Sequence, residues 1–204
     1  ARGLLGSNPL RWRRPDPMTE TIATPRVISV GAGLGALYAA LELAPRPVLV
    51  ISPEALGQGA SSAWAQGGVA AAMDPADTPA AHARDTLRAG AGTVDAEVAA
   101  MVTEEARQHI LDLTRLGTPF DRRADGSYVM SREAAHGFAR VVRVRGDQAG
   151  AEIMRALIAE ARETPSIQVL EGVIATGLAM RDGRVTGVDV ARAERDERTR
   201  RPDP

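Results

Sequence analysis

An α/β fold built on a parallel sheet is what the sequence predicts, and three observations carry that expectation. The apolar run Arg26–Val30 leads straight into Gly31, Gly33 and Gly35. Helical spacing follows over Leu34–Leu43, ended by Pro45 and Pro47, and a second apolar run, Val48–Ile51, comes next. Strand, glycine turn, helix, strand is a βαβ unit, which requires parallel strands and a right-handed crossover. Further on, Ile174–Met180 and Val185–Val190 flank Arg181-Asp182-Gly183-Arg184. Asp-Gly between two apolar runs signals a hairpin. The expected class is a Rossmann-like α/β domain with a parallel sheet and a β-hairpin (meander) insertion.

Taken in order, residues 1–25 carry Pro9, Pro15, Pro17 and Pro25, the basic group Arg11, Arg13 and Arg14, and no apolar periodicity. They are expected to be a disordered extension, with Met18 as a plausible natural start. The first two strands and the helix between them follow. Ser52–Arg84 is rich in Gly, Ala and Ser and reads as a long loop, of the kind that is usually functional or disordered. Asp95–Leu116 is an amphipathic helix: Val98, Met101, Val102, Ala106, Ile110 and Leu113 recur at helical intervals, Asp95 can cap its start, and Gly117 follows its end. Asp147 can cap another helix carrying Ile153, Met154, Leu157, Ile158 and Ala161. Ile167–Leu170 is a strand. Residues 191–204 are charged and proline-bearing and read as a disordered tail. The expected division is therefore 1–25, a nucleotide-binding domain over 26–190, and 191–204.

Composition narrows the function classes. In 204 residues, 25 Lys and Arg stand against 26 Asp and Glu, so no global field favours nucleic acid or an anionic membrane. No apolar run approaches the ~20 residues of a membrane-spanning helix. With no Cys there are no disulfides, thiolate metal sites or cysteine nucleophiles, which fits a cytoplasmic protein. None of His82, His109 and His136 is spaced with carboxylates like a metal site.

Gly31-Ala32-Gly33-Leu34-Gly35-Ala36 satisfies G-x-G-x-x-G/A between a strand and a helix. Gly31 permits a tight turn, Gly33 leaves room for a pyrophosphate, and a small residue at 36 lets helix and strand pack closely. The pyrophosphate would rest on unpaired N–H groups at the positive helix end. Other βαβ turns share this pattern, but the correct order of strand and helix around it favours nucleotide binding. An NAD site places an Asp or Glu about 20 residues further on. Here Ser52 ends the second strand, and the nearest acid, Glu54, follows after a proline, which disfavours a simple NAD dehydrogenase.

The segment Ala60-Ser61-Ser62-Ala63-Trp64-Ala65-Gln66-Gly67-Gly68-Val69-Ala70 resembles the second FAD-contacting loop of the succinate dehydrogenase, fumarate reductase and aspartate oxidase flavoproteins. Ser61 and Ser62 hydroxyls can reach phosphate oxygens, and Gly67 and Gly68 would let backbone approach the flavin ring. The respiratory members typically carry a covalently linked histidine where Ser61 falls, so the resemblance implies non-covalent FAD and the aspartate oxidase branch. Asp85–Gly92, Gly117–Asp121, Ser131–His136, Arg140–Arg143 and Asp147–Gly150 are similar to that branch too, extending the resemblance over about Pro25 to Val190. Two departures stand out: the close-packing glycine is shifted to Gly35, and Pro53 replaces a frequent lysine.

The resemblance implies an FAD-dependent oxidation of L-aspartate to iminoaspartate, passing electrons to oxygen or fumarate, as the first step of NAD biosynthesis, with quinolinate synthase as a possible partner. Glu133 is the candidate catalytic residue, an anion that would orient the substrate ammonium. The cofactor set is Gly31, Ala32, Gly33, Leu34, Gly35, Ser52, Ser61, Ser62, Ala63, Trp64, Ala65, Gln66, Gly67 and Gly68. His82 and His109 read as structural; His136 is open between a substrate-facing, a structural and a capping role. In such flavoproteins the residues that clamp substrate carboxylates lie beyond position 204. The 204 residues alone are thus expected to form an incomplete domain, to lack oxidase activity, to hold FAD weakly and to expose apolar surface. The alternatives are a fumarate reductase or succinate dehydrogenase type of flavoprotein, or a non-catalytic nucleotide-binding remnant.

Overall fold

A computed structural model describes residues 19–193. In chain order the elements are β1 (Glu20–Ile22), β2 (Val27–Val30), α1 (Leu34–Glu42), β3 (Val48–Ser52), a 3-10 turn (Ser61–Trp64) and β4 (Val69–Ala70). Then come α2 (Pro79–Gly90), α3 (Ala96–Arg115), β5 (Met130–Ser131), β6 (Val141–Val142), α4 (Ala149–Glu163), β7 (Ile167–Glu171), β8 (Val173–Arg181) and β9 (Arg184–Arg192).

The central sheet is parallel, in the order β2-β3-β7, with Val27 opposite Val48 and Val48 opposite Ile167. All five residues of β3 are buried, as a continuous apolar strand covered on both faces must be. Its side chains alternate between two cores. Val48 and Val50 face Ala40 of α1, while Leu49 and Ile51 face Val188 and Val190 of the meander. The largest core lies beneath α1, α3 and α4, where Leu37, Ile110, Ile153 and Leu157 meet Val142 and Val144.

The meander sheet runs β1-β9-β8 and is antiparallel. Its hairpin turns at Asp182 (φ +49°) and Gly183 (φ +73°), the two left-handed residues a tight two-residue hairpin needs. The strands are longer than the sequence implies: Val173 pairs with Arg192, so residues 191–192 belong to the fold and not to a tail. Glu20–Ile22, assigned by sequence to the N-terminal extension, instead form the third strand of this sheet, opposite Val190, Asp189 and Val188. A three-residue strand has no readable periodicity, and its partner lies some 170 positions away. Residues 1–18, including Met18, and 194–204 lie outside the described residues.

The Ser52–Arg84 segment is also more ordered than a loop. Thr78 caps α2 by accepting from the Ala81 amide at 3.1 Å, and Pro79 takes the first helical position. Asp95 caps α3 as expected, accepting from the amides of Glu97 and Val98. The buried face of α3 is narrower than the periodicity implies. Ile110 and Leu113 are buried, but toward its start Ala99 and Thr103 face inward while Val98, Met101 and Val102 are each more than half exposed. Asp147 does not cap α4; Gln148 occupies the cap position without a side-chain bond.

Candidate functional site

The glycine turn sits where β2 meets α1. Gly31 adopts φ +102° and donates its amide to the Ile51 carbonyl at 2.9 Å, which ties the turn to the end of β3. Gly33 precedes the helix and has no side chain to cap it. The cap comes from the second loop: the Leu34 amide donates to the Ser62 hydroxyl at 3.1 Å. A Cβ at Gly33 would stand 3.2 Å from that oxygen, a tight contact that the glycine avoids. The second loop is seated from the other side by α4, where the Gly150 amide donates to the Ala65 carbonyl at 2.9 Å. A Cβ at Gly150 would overlap the carbonyls of Ser62 and Ala65.

Between the glycine turn and the second loop lies an open cleft of about 270 Å³. Six of the residues nominated from sequence line it: Gly31, Ala32, Gly33, Ser52, Ser61 and Ser62. Ser52 is buried at the end of β3. Five further residues complete the wall, namely Pro53, Glu54, Gln58, Gly59 and Ala60. Their sequence signal was the position of Glu54 just beyond β3 and the glycine at 59, which the structure places in a turn at φ +74°. No Lys, Arg or His lines the cleft.

The other nominated residues lie elsewhere. Leu34 contributes its amide, and a Cβ at Gly35 would meet open space, so no close packing depends on that glycine. Ala63, Trp64, Ala65, Gln66, Gly67 and Gly68 are not among the residues that line the cleft. Trp64 is 73% exposed. Gly68 has a packing role of its own: a Cβ there would overlap the Val142 carbonyl oxygen beside β6. Gly67 has open space around it.

Glu133 stands on a strap that leaves the small antiparallel sheet β4-β6-β5 after Ser131. It is exposed, accepts a hydrogen bond from the Ser131 hydroxyl at 3.2 Å, and does not line the cleft. The register places Ser131 opposite Val141 and Val69 opposite Val142, so Gly68 and Glu133 belong to opposite ends of this sheet. The strap closes on itself through His136 N–H to the Glu133 carbonyl (3.0 Å) and Arg132 Nε to the His136 carbonyl (3.0 Å).

Its far end is anchored by a buried ion cluster. Arg140 is fully buried and forks onto Asp77 with Nε–Oδ2 and Nη2–Oδ1 both at 2.8 Å, while Nη1 reaches Asp85 Oδ2 at 2.7 Å. The Gly137 amide donates to the same Asp85 oxygen at 2.6 Å. That amide, together with the guanidinium, holds the Asp85 carboxyl down at about 2. The hydrogen bonds to Asp77 raise the Arg140 pKa against the opposing effect of burial. Burial, reinforced by Arg140, lowers the pKa of His82, whose ring meets that of His136 edge to face at 5.5 Å. No group of His, Asp and Glu among the described residues could hold a metal ion.

A glycine turn at a helix end, a hydroxyl-bearing loop folded over it and a cleft at the carboxyl edge of a parallel sheet define a dinucleotide-binding α/β protein. The comparisons make the class specific. The chain belongs to the FAD binding domain family, whose model matches residues 26–202. It is 52% identical over 165 residues to the L-aspartate oxidase of Caulobacter vibrioides, covering 79% of this chain and 32% of that protein. It is 45% identical over 161 residues to the L-aspartate oxidase of Mesorhizobium japonicum, covering 79% and 31%. The chain thus spans about a third of the length of the curated relatives it matches. Among solved structures, Mycobacterium smegmatis Sdh1 superposes with a TM-score of 0.75 at 29% identity, over 80% of this chain and 30% of that one. The FrdA chain of E. coli quinol fumarate reductase, carrying an E245Q mutation, does so with a TM-score of 0.74 at 25% identity, over 81% and 28%.

FAD is the cofactor of this family, and the cleft fits its pyrophosphate end. The start of α1 brings its positive dipole end to the cleft, Ser52, Ser61 and Ser62 are among the residues that line it, and Gly31 and Gly33 keep the wall low, while the Leu34 amide is already taken by the Ser62 hydroxyl.

Proposed function

We propose that this chain is the FAD-binding part of an L-aspartate oxidase, acting in oxidation of L-aspartate to iminoaspartate with oxygen or fumarate as the electron acceptor, a reaction that opens NAD biosynthesis. One observation carries the reading: a cleft of dinucleotide-binding geometry in a chain 52% identical, over 165 residues, to an L-aspartate oxidase. Bound FAD supplies the acceptor for the hydride lost from the substrate Cα. The chain's own residues bind and position. Gly31, Ala32, Gly33, Leu34 and Gly35 hold the pyrophosphate at the end of α1, Ser52 and Ser61 reach the cofactor by their hydroxyls, and Ser62 joins the two loops. Ala63 through Gly68 lead the backbone along the cofactor. Ser61 offers no imidazole for a covalent flavin link, so FAD is held non-covalently.

Glu133 is proposed to receive the substrate ammonium. It is exposed, and the strap that carries it is fixed at its far end by Arg140, so the carboxylate is presented on a braced support. A charge-assisted bond there selects an amino dicarboxylate over succinate. A cytoplasmic location and delivery of iminoaspartate to quinolinate synthase belong to the same proposal. No helix among the described residues is long and apolar enough to cross a membrane.

The test is anaerobic reduction of the flavin in the natural protein. L-Aspartate should bleach the flavin band and succinate should not. Bleaching by succinate alone would move the protein to the fumarate reductase type. Flavin retained but reduced by neither would favour a nucleotide-binding role without catalysis.

A further inference from the structure

Arg132, Glu133, Ala134 and Ala135 are all exposed on the strap, and the two alanines have no polar side chain to tie down. His136 supplies three attachments by itself. Its amide donates to the Glu133 carbonyl at 3.0 Å and closes a turn over Ala134 and Ala135. Its carbonyl accepts from Arg132 Nε at 3.0 Å. Its ring Nδ1 stands 3.2 Å from Arg140 Nη1. A guanidinium only donates, so Nδ1 accepts and the neutral ring carries its proton on Nε2. Arg140 is itself fixed, by two bonds to Asp77 in the turn before α2 and one to Asp85 on α2. The His82 ring, also on α2, packs edge to face against His136.

These contacts form one line, from α2 to Arg140, from Arg140 to the His136 ring, and from His136 to the turn that begins at Glu133. The Gly137 amide, bonded to Asp85 at 2.6 Å, holds the strap beyond that turn and does not reach into it. We propose that His136 is a positioning residue: its Nδ1 acceptor passes the fixed place of Arg140 on to Glu133 and so sets where the substrate ammonium is received. The inference rests on the reading of Glu133 as the ammonium-binding group and deepens it by assigning the residue that holds Glu133 in place. Asparagine offers an amide oxygen as many bonds from Cα as Nδ1, while leucine and alanine offer no acceptor.

Anaerobic reduction of the flavin-loaded natural protein by L-aspartate, followed by stopped flow, separates substrate binding from the limiting rate. In His136→Leu the half-saturating aspartate concentration should rise about tenfold, the equivalent of one hydrogen bond to a charged group, with a smaller change in limiting rate and native FAD retention. His136→Ala removes the acceptor without adding bulk and should behave alike. His136→Asn should restore most of the affinity. Because the ring acts through Glu133, the losses should not add: Glu133→Gln should raise half-saturation by itself, and His136→Leu on top of it should raise it little further. Proteolysis within Ser131–Phe138 should quicken in His136→Leu and return toward native in His136→Asn. Additive losses, a fall in limiting rate alone, or unchanged half-saturation in a folded His136→Leu or His136→Ala protein would overturn the positioning role and leave the Glu133 reading standing. Unchanged half-saturation in Glu133→Gln would overturn both.

Discussion

Replacing Arg140 with Met tests the most heavily constrained contact in the chain. The guanidinium and the Asp77 side chain are both 0% exposed. Removing the arginine leaves a buried carboxylate without its counter-ion, which costs about 3–5 kcal/mol in comparable buried pairs. For a domain of this size each kcal/mol moves the thermal midpoint by about 2–4 °C, so the midpoint should fall by about 6–20 °C. Arg140→Lys restores a charge without the fork that spans Asp77 and Asp85, and it should recover only part of the loss. The double change Arg140→Met with Asp77→Leu should recover more, because no unpaired charge remains. It should not reach the native value. Asp77 Oδ1 also accepts from the Thr78 amide at 2.8 Å, a bond of about 1 kcal/mol that leucine cannot replace. Urea and thermal unfolding followed by circular dichroism read these differences, and proteolysis of Ser131–Phe138 reads the loosening of the strap. A loss under about 1 kcal/mol in Arg140→Met would refute the reasoning, since it would mean that Asp77 finds water or another partner.

Three further outcomes follow from single contacts. His82 has a folded pKa below its ordinary 6.5, so the unfolded chain takes up a proton first as pH falls through that value. Stability should therefore decline from pH 7.5 to pH 5.5, and His82→Gln should flatten that decline in a pH series of melting curves. Asp85 works lower: its pKa of about 2 makes its contribution present above the usual carboxylate range and lost as pH falls toward 2, a loss that Asp85→Asn should remove from an acid titration. Gly150→Ala should destabilise by about 1–3 kcal/mol through overlap with the Ser62 and Ala65 carbonyls, and FAD retention on gel filtration should fall with it.

Much of the fold was legible because its signals are local. The βαβ unit, the Asp-Gly hairpin and the Asp95 cap each declare themselves within a few residues. What was not legible depends on distant partners. β1 exists because β9 offers it an edge, and Arg140 is buried because Asp77 and Asp85 come to it from the turn before α2 and from α2 itself. The face of α3 misled for a related reason. Periodicity reports which side chains share a face, while burial depends on what covers that face, and Val98, Met101 and Val102 meet no covering element among the described residues. The start of α2 was readable in Thr78-Pro79 but was outweighed by the Gly, Ala and Ser content around it.

The glycines show how one residue type can be nominated for one reason and required for another. Gly67 and Gly68 were nominated together for their closeness to a flavin ring, yet a Cβ at Gly68 collides with the Val142 carbonyl in the protein alone, while one at Gly67 meets nothing. Gly68→Ala should therefore lower stability without any cofactor present, and Gly67→Ala should not. If Gly67→Ala nevertheless weakens FAD binding in a folded, stable chain, its requirement comes from the ligand and the nomination stands. If it leaves both stability and FAD affinity unchanged, the approach of the flavin along this loop is wrong, and only the cleft between Gly31 and Ser62 carries the cofactor assignment. Ser62 makes the complementary case. Its hydroxyl serves α1 in the absence of any ligand, so Ser62→Ala should cost about 1 kcal/mol of stability before FAD is added. A variant that lost affinity alone would show that the hydroxyl acts on the cofactor and not on the helix.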